Sequence, residues 1–302
     1  MSERSGWNRR PTERMLQRPA RPPAHPSEPY RDFAAVYDAW QKLYPRPFAV
    51  AMAPRIAAAI SKHQPPVRIL ADVACGTGTL LHHWTRTYRG WTLYGTDRSP
   101  AMIRSARRAA RAGTPLTPAQ ATRAGTQGSH AGRAGAATPP RFKVQDLLDL
   151  DLPSPAGVIT CIFDSLNHVT RASDLQRIFH NIRRNLAPGG IFFFDLVHPD
   201  EFADVFTGYS ILEGEDLYAG VDSGNEELRG VLYGTARFSF FRRRGERWRR
   251  VDFEVRERCW KIAEIRAMLA YAGLKVLDLV KADPYDADEY AVPRAIWTCR
   301  RP

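Results

Sequence analysis

The sequence predicts an α/β fold: a seven-stranded, mostly parallel sheet with helices on both faces, plus a small antiparallel β insertion late in the chain. Three observations predict it. From Ile69 onward, apolar runs suited to buried strands are separated by segments of helical period. The first run, Ile69 to Val73, leads into Cys75-Gly76-Thr77-Gly78 and then at once into a helix-like segment, Leu80 to Arg89. Across residues 209–259 the period changes to two: Val231, Tyr233 and Thr235 alternate, as do Val251, Phe253 and Val255, with a turn at Gly245 between them.

The elements follow in order. Residues 1–28 are rich in Arg and Pro and poor in large apolar side chains, so a disordered basic tail is expected there, with a single domain over 29–302. Tyr30 to Leu43 carries Phe33, Val36, Tyr37 and Trp40 at helical spacing. Pro47 to His63 is a second helix, stopped by Pro65-Pro66. After the run Trp91 to Thr96, Ser99 can cap a helix with Pro100 in its first turn, reaching about Ala112. Residues 113–140 are Ala, Gly, Thr, Pro and Gln with scattered Arg, a composition that cannot repay its ordering entropy, and are expected to be a disordered insertion. Arg141 to Gln145, Gly157 to Phe163 and Ile191 to Leu196 are further strands, with a helix over Asp174 to Leu186. Beyond the antiparallel insertion at 209–259, Trp260 to Ala272 is a helix closed by Gly273. Leu274 to Val280 and Ala295 to Cys299 complete the sheet.

Composition narrows the function. The net charge of +12 comes mostly from arginine, concentrated in the expected disordered segments and in one hairpin, where six arginines lie between Arg242 and Arg250. That placement argues for solvation rather than nucleic-acid binding. Four scattered cysteines, with no C-x-x-C pair and no His at metal spacing, read as reduced thiols of a cytoplasmic protein and suggest no metal. No apolar run reaches membrane-spanning length, and no signal-peptide core opens the chain. The oligomeric state is not legible.

The chemistry starts at the glycines. A strand, a tight glycine turn and a helix start bring the backbone and its free N–H groups close to a ligand. Asp97 ends the second strand nineteen residues beyond Gly78, where a carboxylate can accept from both hydroxyls of a ribose. The third small residue of a dinucleotide fingerprint is replaced by Leu81. A nucleoside without a pyrophosphate therefore fits better, and a nicotinamide oxidoreductase fits worse.

Asp72-x-Ala74-Cys75-Gly76-Thr77-Gly78, then Gly95-Thr96-Asp97-Arg98-Ser99-Pro100-Ala101-Met102, resembles the first two motifs of class I S-adenosylmethionine-dependent methyltransferases, of the small-molecule type with a late antiparallel insertion. Leu186-x-Pro188-Gly189-Gly190-x-Phe192-x-Phe194-Asp195 resembles a later one. The resemblance covers roughly residues 30–302 and implies a Rossmann-like domain with S-adenosylmethionine as cofactor. It places Ala74, Cys75, Gly76 and Gly78 beside the homocysteine part, with Asp72 bracing the loop and the methionyl amino group. Asp97 takes the ribose, with Arg98 beside it. Met102 packs on the adenine, and Asp146 accepts from its amino group, with Leu147 adjacent. Phe163 and Tyr30 complete the cofactor contacts, and Tyr37 faces the methyl donor with Tyr30.

The carboxyl ends of the central strands border the reaction site in such folds. There lie Phe163-Asp164-Ser165-Leu166-Asn167-His168-Val169 and, after the fifth strand, Asp195 and His198. His168 and His198 are candidate general bases, with Asp195 and Tyr37 as further catalytic candidates. The Asn/Asp-Pro-Pro-aromatic signature is absent, which argues against methylation of DNA adenine, cytosine N4 and glutamine. The expected partner is a small metabolite accepting a methyl on N or O. An RNA or protein methyltransferase docking through its arginines is the alternative, and a non-enzymatic binding protein the third reading.

Overall fold

The computed structural model describes residues 30, 33–112, 138–285 and 292–302. The expected tail, and all but the last three residues of the expected insertion at 113–140, lie outside them.

The parallel core follows the apolar runs. β1 (Ile69–Val73), β2 (Thr92–Asp97), β3 (Arg141–Val144), β4 (Ala156–Cys161) and β5 (Leu186–Val197) join β10 (Lys275–Ala282) and β11 (Arg294–Arg300) in one sheet. Its order is β10-β11-β5-β4-β1-β2-β3. Only β11 runs antiparallel to its neighbours, β5 and β10. The period of two sorts side chains between two cores. On one face Ala71, Ile159, Phe192, Phe194 and Trp297 pack with α5 (Ala172–Asn185) and α7 (Ile262–Tyr271). On the other, Leu70, Val158, Ile191, Phe193 and Ile296 pack with α2 (Phe48–His63), α3 (Thr79–Thr87) and α4 (Pro100–Ala112).

β5 starts earlier than its apolar run. Leu186 already pairs with Ala156, and Pro188-Gly189-Gly190 forms an irregularity before Ile191 pairs with Val158. The contact between α3 and β2 has its own solution. Leu81, standing where a dinucleotide fold has a small residue, is fully buried. A Cβ at Gly95 of β2 would lie 2.9 Å from Leu81 Cδ1 and 2.5 Å from the Phe142 ring. The missing side chain belongs to the strand rather than to the helix.

The stretch 209–259 folds as a four-stranded antiparallel sheet: β6 (Gly208–Gly214), β7 (Leu217–Leu228), β8 (Val231–Arg244) and β9 (Arg247–Arg258). Arg229 and Gly230 both take positive φ in the β7–β8 turn, as a tight hairpin requires. The short α6 (Phe202–Val205) leads into this sheet.

The chain before α2 corrects the expectation of one helix over Tyr30 to Leu43. It forms a 3₁₀ turn, Phe33–Ala35, and a five-residue helix, α1 (Tyr37–Gln41), with Val36 between them. The aromatic residues serve two surfaces at once. Phe33 stacks on Phe253 of β9 at 4.5 Å between centroids, while Trp40 meets Phe163 beyond β4 at 5.7 Å. Tertiary packing on both bodies overrides the helical period. Phe33, Val36 and Trp40 thereby join Met102, Phe240 and Val251 in a core that ties the antiparallel sheet to the parallel one.

Candidate active site

A cavity of about 720 Å³ lies between the carboxyl ends of the parallel strands, the N-terminal aromatic segment and the inner face of the antiparallel sheet. One wall is the glycine loop. Ala74, Gly76 and Gly78 all have positive φ, and the Cys75 N–H donates to the Thr96 carbonyl at 2.9 Å, seating the loop on β2. Asp97 fixes it further. Its Oδ2 accepts from Gly76 N at 2.9 Å and its Oδ1 from Ser99 N at 2.8 Å. Burial raises the Asp97 pKa, opposed by these two backbone donors and by Arg98. Each carboxylate oxygen keeps a second lone pair for a ligand hydroxyl.

Ala74, Gly76, Asp97, Arg98, Met102, Asp146 and Leu147 line this side. Asp146 also caps the 3₁₀ turn Leu147–Asp149, accepting from Leu148 N at 2.9 Å through Oδ1. The donor set fits S-adenosylmethionine: Asp97 and Asp146 would accept from ribose and adenine, Met102 and Leu147 would pack on the ring, and Gly76 leaves a side-chain-free approach.

Three residues of the cofactor expectation stand behind that wall. Gly78 starts α3 with φ +78°, and a Cβ there would lie 2.7 Å from Phe142. Cys75 does not line the cavity either. Asp72 is 2% exposed and accepts from the Thr160 hydroxyl at 2.7 Å, so its carboxyl braces β1 against β4. Burial pushes its pKa up to about 7, opposed by the Thr160 bond.

The opposite wall holds Tyr30, Tyr37, Phe163 and His168. Burial raises the pKa of both tyrosines and lowers that of His168, which is therefore a neutral imidazole near pH 7. Its Nε2 is 3.6 Å from Glu257 Oε1, and its ring stands edge-on to Tyr30 at 6.4 Å.

Asp195 and His198 do not line the cavity. Asp195 is fully buried at the end of β5 and accepts from the N–H groups of Phe163, at 2.7 Å, and Asp164, at 3.2 Å. Those two residues hold positive φ, +64° and +48°, a conformation costly for side-chain-bearing residues. Asp195 is placed to support the site from below. His198 turns toward Asp200, with 3.6 Å between Nδ1 and Oδ2.

Glu257 and Arg294 escape sequence reasoning, and Asp164 lies in the stretch Phe163 to Val169 that the sequence puts at the reaction edge without a role of its own. Asp164 follows β4, Glu257 lies near the end of β9, and Arg294 opens β11. Arg294 Nη1 donates to Asp164 Oδ2 at 2.6 Å and lies 3.6 Å from Asp195 Oδ2. Asn167 aligns the region, accepting from Val197 N and donating to the Arg258 carbonyl, so that β9 is tied to β5 beside Glu257. A signal for Glu257 exists in the sequence: it continues the inward phase of Val251, Phe253 and Val255.

This sheet order, with a glycine loop after the first strand, an acid ending the second and a late antiparallel insertion, defines the class I methyltransferase fold. Residues 71–192 match the family described as "Methyltransferase domain". A dTDP-4-amino-2,3,4,6-tetradeoxy-D-glucose N,N-dimethyltransferase of Saccharopolyspora spinosa is 31% identical over 186 residues, 61% of this chain and 63% of that one. The match thus spans less than two thirds of that relative. Among solved structures, an S-adenosylmethionine-dependent methyltransferase from Clostridium acetobutylicum superposes with a TM-score of 0.68 at 22% identity, covering 90% of this chain and 98% of the other. Streptomyces venezuelae DesVI superposes with 0.67 at 21% identity, covering 89% and 98%. The chain thus has the class I methyltransferase fold, and within it residues 71–192 match a methyltransferase domain.

Proposed function

We propose that this protein transfers methyl groups from S-adenosylmethionine to the amine of a small molecule, an amino sugar being the class favoured by the Saccharopolyspora relative's name. The observation that carries the reading is the cavity. It has a nucleoside-type wall at Asp97, Met102 and Asp146, and a second wall of aromatic rings and carboxylates at Tyr30, Phe163, Asp164, His168 and Glu257.

S-adenosylmethionine, when bound, supplies an electrophilic methyl group on a sulfonium. Asp97 and Asp146 hold the nucleoside, and the loop at Gly76 lets the backbone approach it. The aromatic segment at Phe33, Tyr37 and Trp40 covers the cavity and excludes water. An amine reacts through a free lone pair, so a proton must leave an ammonium acceptor first. His168, kept neutral by burial, accepts that proton. Tyr30, whose phenol burial keeps protonated, offers a hydroxyl that orients the acceptor.

The arginine hairpin supports the small-molecule reading over RNA docking. Arg237 pairs with Glu254, Arg250 with Asp252, and Arg256 with Glu226. Arg242 donates to the Ala35 carbonyl, holding the aromatic segment to the sheet. Partnered cations are poorly placed to track a phosphate backbone.

The test combines calorimetry with S-adenosylmethionine and a labelled-methyl screen of amino sugars against the corresponding hydroxy sugars. Methyl incorporation into amines alone is expected. Incorporation into hydroxy sugars or RNA, and not amines, overturns the reading.

A further inference from the structure

The corner formed by Asp164, His168 and Glu257 brings two acidic side chains and an imidazole together on the cavity wall. Their potential donor atoms lie within 4.8 Å of one another. Arg294 is engaged there by Asp164 and Asp195, while Arg98, the other cation near His168, lies over the Tyr30 ring. Two carboxylates on one guanidinium already exceed it by one charge. Glu257 adds a third carboxyl, reached by His168 Nε2 at only 3.6 Å. Glu257 is 5% exposed, lines the cavity, and its Oε2 has no hydrogen-bond partner. An unpaired buried acceptor at a cavity wall costs free energy unless a ligand completes it.

We infer that Glu257, with His168 and Asp164 beside it, is the binding site for the cationic amine of the acceptor, an assignment that rests on the amine reading above. Aromatic rings border the site: Tyr30 stands edge-on to His168 at 6.4 Å, with Arg98 over its ring, and Phe163 lines the same wall. Rings and a carboxylate together suit an alkylammonium. A divalent metal ion suits the corner less, because the Arg294 guanidinium sits 2.6 Å from Asp164. That guanidinium already neutralises Asp164, and a positive charge beside the corner opposes a second cation of high charge density.

The groups facing Glu257 settle its proton. Burial comes first, then Asp164, both raising its pKa, while Arg294 lowers it and Asp195 raises it. Tyr30 and His168 are neutral neighbours near pH 7. Burial and the neighbouring Asp164 thus favour the protonated carboxyl over the carboxylate. On binding, R–NH₃⁺ and Glu257–COOH give the R–NH₃⁺···⁻OOC–Glu257 pair and one proton released to solvent. No bond to carbon changes. The site also distinguishes an amine from a hydroxyl, since only the cation can draw the proton off Glu257.

The experiment is calorimetry on the full chain saturated with S-adenosylhomocysteine, in two buffers of different ionisation enthalpy near pH 7. The probes are isopropylammonium, isopropanol as its neutral isostere, and Mn²⁺. Saturable binding of the ammonium is expected, with release of about one proton and at least tenfold preference over the alcohol. Glu257→Gln, which keeps the side-chain shape, should weaken ammonium binding at least tenfold and abolish the proton release. Equal binding of ammonium and alcohol by the wild type, or no saturable ammonium binding, overturns the site without recourse to any variant. So does a folded Glu257→Gln variant that binds like wild type, or tight Mn²⁺ binding that displaces the ammonium. If the ammonium binds as expected while the methyl screen labels only hydroxyl compounds, the site stands and the amine-acceptor reading falls.

Discussion

Asp195 Oδ1 lies 2.7 Å from the backbone nitrogen of Phe163, the first of two consecutive residues with positive φ. The same carboxylate takes the next N–H and faces Arg294. One buried acid thus holds a strained turn whose two side chains face the cavity. Asp195→Ala removes both acceptors and leaves Arg294 with Asp164 alone. A loss of about 3 kcal/mol is expected, appearing as a lower thermal midpoint, with Asp195→Asn intermediate because it keeps one acceptor. A wild-type midpoint for the alanine variant would contradict this role.

Asp97 does two jobs, holding Gly76 and Ser99 and facing the cavity. Charge-assisted hydrogen bonds contribute about 1.5–3 kcal/mol. Asp97→Ala should weaken S-adenosylmethionine binding at least tenfold in calorimetry and also lower stability. Unchanged affinity in a folded variant would remove Asp97 from the ribose site.

Asp72 predicts a pH dependence. Its folded pKa is raised from 3.8 to about 7, with burial as the leading cause. Between those values the folded chain keeps a proton that the unfolded chain has lost, so stability falls as pH rises through this window and levels off above it. The full penalty is on the order of 4 kcal/mol. Asp72→Asn keeps an oxygen for Thr160 and lacks the penalty. Its advantage over wild type in denaturant melts should grow from pH 5 to pH 8. A constant gap across that range would show that Asp72 does not titrate on folding.

Gly95 makes the packing of α3 on β2 possible. A Cβ there meets Phe142 at 2.5 Å and Leu81 at 2.9 Å, and the strand φ offers no relief by itself. Gly95→Ala should cost about 1–3 kcal/mol through overpacking, and Gly95→Ala with Leu81→Ala should be more stable than the sum of the two single changes predicts. If the double variant is no more stable than that sum, the clash is not with Leu81.

Much of the fold is legible in the chain because burial on both faces of a parallel sheet writes itself as short apolar runs. Ile69–Val73 and Ala156–Cys161 appear close to where the runs place them, and the period of two announces the antiparallel sheet. The glycine loop and Asp97 are legible for a related reason: a strand, a turn with positive φ and a helix start are adjacent in sequence, so local geometry alone brings them together. The N-terminal segment is the counterexample. Phe33 to Trp40 has a helical stripe, yet contacts to β9 and to Phe163 break it into two short turns, because long-range aromatic packing outweighs the propensity of a few residues.

The wall opposite the glycine loop was decided by tertiary structure. Asp164 and Arg294 meet across 130 residues of sequence, and Glu257 joins them from a different sheet. Periodicity tells which face of its own strand a residue occupies; it does not tell which other strand end will lie opposite. The same limit governs Asp195 and His198. Sequence puts both at the carboxyl end of β5, but the direction of each side chain there is set by what it packs against. Asp195 turns beneath Phe163 and Asp164, and His198 turns toward Asp200. Sequence alone determined the sheet and the glycine loop with Asp97, whose parts are local. The charge balance of the opposite wall depends on three distant carboxyls sharing one guanidinium in a low-dielectric interior, and only the folded chain brings them together.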